Sequence, residues 1–201
     1  MTEAQTVRLR LRDGSLVVVR PITPDDRERL AVAFSRLSEQ SRYQRFLTAI
    51  SELSDADLRY LTEVDHRDHE ALIACDTESG EAIGVARFVR LDDGESAEAA
   101  VTVIDEWQGR GAGTALANLL AERAREEGIK RFTALLLTEN EQMRELLTTL
   151  GPAKVISRDG GTIVIEVEIP EQGIGEHMAG VLRVAAGGTV ELATPPWGLA
   201  R

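Results

Sequence analysis

Cysteine is almost missing. Cys75 stands alone among 201 residues, so no internal disulfide can form, and a reducing, cytoplasmic setting is expected. It closes the apolar run ALIAC with Asp76 and Glu78 nearby rather than a cation, which suits a small buried thiol better than a nucleophile. Long apolar runs are missing too: no stretch of about 18 apolar residues occurs, and the amino terminus MTEAQTVRLR has no apolar signal region, so neither membrane insertion nor secretion is expected. Positive charge is scarce. With 23 Lys and Arg against 34 Asp and Glu the net charge is −11, which disfavours nucleic acid as a partner and suits a cationic substrate.

The common nucleotide fingerprints are absent as well. A P-loop needs GxxxxGK followed by Ser or Thr, and a dinucleotide fold needs GxGxxG, whereas Gly109, Gly111 and Gly113 give GxGxG. Asp65, His66, Asp68, His69 and Glu70 form a dense cluster without the helical HExxH spacing that aims two rings at one zinc. No metal is expected there, and His69 is kept only as a minor general-base candidate.

The composition, 43% hydrophobic and 28% charged, is that of a soluble globular protein. A chain of this length buries about 70% of its unfolded surface in one domain. Val7 to Arg12 and Leu16 to Arg20 read as a hairpin around Asp13 and Gly14. Thr23, Pro24 and Asp26 open a helix over 24–37, Glu39 to Thr48 makes a second, and Ser54 with Asp57 caps a third. Strands follow at Glu70 to Asp76, Ala82 to Val89 and about 97–104. A helical face repeats at Leu116, Leu119, Leu120 and Ala124, then Phe132 to Thr138 reads as a buried strand. A helix through Met143 and Leu150 and two strands, Lys154 to Arg158 and Thr162 to Ile169, complete an α/β domain with a mixed sheet.

The chain centres on AEAAVTVIDEWQGRGAGTALANLL, a strand, a glycine-rich turn and a helix. Backbone N–H groups at the start of that helix lack intrahelical acceptors, and with the positive end of the helix dipole they form an anion site. Glycines at 109, 111 and 113 would let a phosphate approach, with no Cβ in the way. From Asp92 to Glu106, just upstream, stand six carboxylates (Asp92, Asp93, Glu95, Glu98, Asp105, Glu106) and no Lys or Arg, either a solvated face or an attraction for cations.

Gln108, Gly111 and Gly113 fill the pattern of the acyl-coenzyme A loop of the GCN5-related N-acetyltransferase (GNAT) family, which this stretch resembles. The resemblance runs from about Arg8 to Pro170. It includes LLLTENEQMRELLTTLG, and in RPITPDDRERL, SEQSRYQRF and VDHRDHEALIA the chain looks like the acetyltransferase domain of bacterial protein-lysine acetyltransferases. It leaves no room in this chain for the cyclic-nucleotide domain that some of those carry. The implied fold is α/β with a mixed, mostly antiparallel sheet flanked by helices, residues 1–170 forming the domain and 171–201 an extension. The implied acyl donor is acetyl-CoA. By resemblance, Val101, Val103, Ile104, Gln108, Gly109, Arg110, Gly111, Ala112, Gly113, Thr114, Asn140 and Met143 would hold it, with a strand bulge near Val103 and Ile104 turning backbone N–H groups toward the acyl oxygen.

The acceptor implied is a primary amine, a protein lysine in particular. A lysine with pKa about 10.4 needs a base at neutral pH, and a partly desolvated glutamate serves. Glu98 is the candidate, since the lysine acetyltransferases use a glutamate in an equivalent AE sequence. Arg42, Tyr43, Arg45 and Phe46 are candidates for shaping acceptor selectivity, against the favoured reading of core aromatics with snorkelling arginines. Leu147 stands where many members carry a tyrosine acid, so a small-amine acetyltransferase and a non-catalytic acyl-CoA sensor remain as alternatives. The tail from Glu171 to Arg201 is too apolar for a plain linker, and a hairpin packed on its own domain or on a second copy in a homodimer is expected.

Overall fold

The computed structural model describes residues 6–170, so the expectations for the tail lie outside the described residues. Among the described residues eight strands form one sheet: β1 (Val7–Arg10), β2 (Leu16–Pro21), β3 (His69–Asp76), β4 (Ala82–Arg90), β5 (Ser96–Val103), β6 (Arg131–Leu137), β7 (Ala153–Asp159) and β8 (Thr162–Glu168). Their spatial order is β1-β2-β3-β4-β5-β6-β8-β7, with every neighbour antiparallel except β5 and β6. Five helices flank it: α1 (Arg27–Ser35), α2 (Glu39–Phe46), α3 (Asp55–Thr62), α4 (Ala112–Glu126) and α5 (Glu141–Thr148). This is the α/β fold class read from the sequence. None of the described helices is long and apolar enough to cross a membrane.

The first helix does not run unbroken over 24–37. Pro24–Asp26 forms a 3₁₀ turn before α1, because the Asp26 carboxylate is turned inward. It accepts both Arg20 guanidinium nitrogens, at 2.6 and 2.7 Å, and the Thr23 N–H at 2.9 Å. Burial alone would raise the Asp26 pKa, but the Arg20 guanidinium and the Thr23 donors pull it down to about 2. At α3 the capping box is complete: Ser54 N–H donates to Asp57 at 2.9 Å and Asp57 N–H to Ser54 Oγ at 3.2 Å.

Alternation along β5 fixes what lies where. Ala97, Ala99 and Val101 are buried on the face covered by α4, through Leu116 and Leu120, and Phe88 packs on Phe132 with ring centroids 6.1 Å apart. Glu98, Ala100 and Thr102 face the other way, where Leu30 and Phe34 of α1 lie against Ala100 and Thr102.

Candidate active site

β5 and β6 pair over three registers only, Ser96↔Arg131, Ala97↔Phe132 and Glu98↔Thr133. Beyond them each strand follows its other neighbour: β5 stays on β4 as far as Gly84↔Val103, and β6 stays on β8 as far as Leu137↔Thr162. The strands therefore part, and a cleft of about 550 Å³ opens between them. Ile104 N–H donates to Ile83 O at 2.9 Å. Antiparallel alternation then gives the β4 bonds to Ala100, Thr102 and Ile104 and turns the backbone groups of Val101 and Val103 toward the opening. Of these, the Val103 carbonyl accepts Gln108 Nε2 at 3.1 Å.

This corrects two expectations. The register of β4 with β5 shows no shift, so no bulge marks Val103 and Ile104, and the splay comes from the departure of β6. Ile104 is 1% exposed with its N–H engaged, so it offers the cleft nothing, whereas Val103 N–H stays on the open edge.

At the mouth of the cleft, Gly109 (φ 73°) and Gly111 (φ 98°) hold backbone that L side chains rarely adopt, with Gly111 capping α4. Ala115 N–H to Gly111 O, 3.0 Å, is the first helical bond, so the N–H groups of Ala112, Gly113 and Thr114 precede it and have no intrahelical acceptor, an arrangement that suits an anion. Gly113 has a different reason to be glycine: a Cβ there would stand 3.0 Å from Leu146 Cδ1, so its smallness lets α5 pack on α4. Ala112 is buried and contributes backbone only. Gln108 is a brace, its side chain donating to Val103 O and, at 3.3 Å, to Ser41 Oγ, and its own N–H to Asp105 O.

Arg110 does not line the cleft. Its guanidinium lies on Asp13 at 3.1 Å and over the Trp107 ring at 4.8 Å. Arg12 takes the place the sequence reading gave it: its N–H donates to Arg110 O at 3.1 Å, and its side chain comes within 3.6 Å of where a Cβ on residue 111 would stand. No motif marks Arg12, which reaches the site because the turn between β1 and β2 is bonded to the loop at Arg110. Asn140 and Met143 line the cleft, with Asn140 Oδ1 accepting Met143 N–H at 3.0 Å as the cap of α5. Leu147 is buried beside them.

Glu98 lies on the cleft wall at the point where the strands part. It is exposed and makes no hydrogen bond or ion pair among the described residues, so the free chain does not itself supply the desolvation that the sequence argument invoked. The other carboxylates of the acidic run are mostly answered. Asp93 and Glu95 pair with Arg131 and Lys130, Glu106 with Arg36, and Asp105 accepts Ser38 N–H (2.9 Å) and the hydroxyls of Ser38 and Ser41 (2.8 and 2.9 Å). Burial works against the Asp105 charge, but those donors hold its pKa below the usual carboxylate range. The run thus ties α2 and the sheet to the loop, and Glu98 is its member on the cleft.

The Asp65 to Glu70 cluster orders a loop. Asp65 accepts the N–H groups of Arg67, Asp68 and His69, His66 Nδ1 lies 2.7 Å from Glu70, and His69 Nε2 lies 3.2 Å from Arg87 Nη1. Burial and the Arg87 charge push the His69 pKa down, and His69 does not line the cleft.

Known proteins resemble this chain in sequence and fold. Residues 34–151 match the acetyltransferase (GNAT) family. Acetyltransferase Pat of Mycolicibacterium smegmatis is 36% identical over 82% of this chain, which spans 49% of that protein's length, and an acetyltransferase of Pseudomonas aeruginosa is 34% identical over 77% of this chain and 84% of its own. The solved GNAT domain of S. lividans PAT superposes with a TM-score of 0.76 at 36% identity, covering 82% of this chain and 97% of that one. A Salmonella typhimurium acetyltransferase solved with acetyl-CoA shares the fold, with a TM-score of 0.62 at 18% identity over 78% of this chain and 95% of that one. The chain belongs to the acetyltransferase (GNAT) family.

Proposed function

We propose that this chain transfers an acetyl group from acetyl-CoA to a primary amine, that of a protein lysine, in the cytoplasm, with Glu98 as general base. The observation that carries the reading is the parting of β5 and β6, which leaves an unpaired strand edge and an anion site at the two ends of one cleft. The residues fit the donor. Backbone N–H groups from Gly109 to Thr114 suit its pyrophosphate, Arg12 adds positive charge beside them, and Val101 and Val103 present main-chain partners to its extended amide-bearing arm.

Acetyl-CoA, when bound, supplies an acyl thioester. Glu98 takes the ammonium proton so that the amine can attack the acyl carbon, and Val103 N–H donates to the negative charge that grows on the acyl oxygen. Substrates covering Glu98 provide the desolvation that the free protein does not. Leu147 has no proton to give, so the sulfur leaves as thiolate when the C–S bond breaks, which an ordinary thiol pKa of about 8.5 permits, and the second proton of the attacking nitrogen, shed as the amide forms, passes to that thiolate or to water. Calorimetric titration with acetyl-CoA, followed by thiol release against lysine peptides and small amines, tests the proposal. Saturable binding with amine-dependent release supports it, binding without release favours the acyl-CoA sensor, and no binding refutes both.

A further inference from the structure

The cleft wall formed by α2 and β4 holds positive charge that no carboxylate among the described residues contacts. Arg87 of β4 is 6% exposed; it donates to Leu61 O at 2.8 Å and lies against His69, neither of them an anion. Arg45 of α2 is half-buried, makes no hydrogen bond or ion pair among the described residues, and rests its guanidinium carbon 5.0 Å from the Phe46 ring centroid. Arg45 lines both the main cleft and a small adjoining cavity of about 50 Å³ walled by Phe34, Leu53, Leu61 and Thr102, where Arg87 also stands.

Such charges are costly. A guanidinium with no carboxylate partner against apolar walls loses hydration that a backbone carbonyl or an aromatic face replaces only in part, and here burial lowers both pKa values, that of Arg87 to about 10 with Arg45 adding to the fall. The chain has carboxylates to offer, since Arg20, Arg36, Arg90, Arg123 and Arg131 each pair with one. Glu98 and Arg45 both line the main cleft with no hydrogen bond or ion pair between them, and the Glu98 charge offsets part of the effect of burial on Arg45. One wall of the cleft thus shows a carboxylate and the adjoining wall an open guanidinium.

We propose that Arg45, backed by the charge of Arg87, receives a carboxylate of the acceptor, so that the substrate is a primary amine with a carboxylate close by. This rests on the amine-transfer reading of the same cleft. Two sources carry that chemistry: a protein lysine flanked by an acidic side chain, and a free amino acid. In both, Glu98 meets the amine and the planar fork of Arg45 meets the carboxylate.

The test is thiol release from acetyl-CoA with two matched acceptor pairs, a peptide with lysine beside Glu or beside Gln, and lysine against lysinamide. The wild type should favour the carboxylate member of at least one pair by about ten- to a hundredfold in kcat/KM, and the pair that responds names the source. R45Q, and R45M as a second variant of similar length, should bring that ratio near one. Equal use of both members by the wild type overturns the inference, and so does a ratio that survives both variants, since Arg45 would then act only through Glu98. A wild type that binds no acetyl-CoA, or releases thiol with no amine, takes down the transfer reading and this inference with it.

Discussion

Gly111 is the position where charge and backbone can be separated by experiment. Its φ of 98° strains any L residue by about 1–2 kcal/mol, while a Cβ would touch only the Arg12 side chain, at 3.6–3.8 Å. Gly111→Gln and Gly111→Glu share that strain, and both should melt roughly 2–8 °C below the wild type. They differ in one negative charge at the helix N-terminus. At about 6 Å from a dianionic pyrophosphate, with an effective dielectric near 40, that charge costs about 3 kcal/mol, on the order of a hundredfold in Kd. Titration calorimetry with acetyl-CoA should therefore find Gly111→Glu far weaker than Gly111→Gln at low salt. The gap should narrow as salt shortens the screening length below about 10 Å. Equal affinities for the two variants, or a gap insensitive to salt, would refute the placement of the pyrophosphate at this turn.

Three further outcomes follow from the geometry. Glu98→Gln should bind acetyl-CoA as the wild type does yet lose about 10²- to 10⁴-fold in amine-dependent thiol release, and retained release would remove Glu98 as the base. Arg12→Ala should weaken acetyl-CoA binding about fivefold in calorimetry, whereas Arg110→Ala, whose guanidinium already rests on Asp13 and Trp107, should change it less; the reverse ranking would contradict the site. Asp26 has a folded pKa of about 2 against an ordinary 3.8, so its contribution, about 2 kcal/mol, is present above pH 3.8 and lost as pH falls toward 2. Urea unfolding of the wild type and Asp26→Asn at pH 5 and pH 2.5 should show the difference shrinking at the lower pH, and a constant difference would count against the Arg20 pair as its source.

How much could be read from the chain depended on the range of the interaction. Helix starts and hairpins are set by residues two to four apart, which is why Ser54 with Asp57 and the Asp13–Gly14 turn announced themselves, and β5 with its flanking strands followed from period and length. The fold class, resting on the order of such elements, was legible for the same reason. The site was legible in its loop and less so in its surroundings. Arg12 stands ninety-eight positions before Arg110 and is joined to it by a backbone bond that no spacing rule encodes. The acidic run looked uncompensated because its cations, Arg36, Lys130 and Arg131, come from other elements. Gly113 read as a phosphate glycine, yet the atom closest to its missing side chain belongs to α5.

The cleft persists because each wall is held by its own ladder. β5 is bonded along its length to β4, and β6 along its length to β8, so each wall is held by the ladder on its far edge while the near edges meet over three registers only. Exposed edge groups such as those of Val101 normally invite another strand or water. Among the described residues no strand fills the opening, and along β6 Ala134 and Leu136 give it an apolar wall. What satisfies both walls is an extended molecule with amides along one side and little polarity on the other, ending in an anion at the turn before α4. Between its two edge strands the sheet thus leaves hydrogen bonds unmade where β5 and β6 part, which is where the proposed function seats the acyl donor, with Glu98 at the apex.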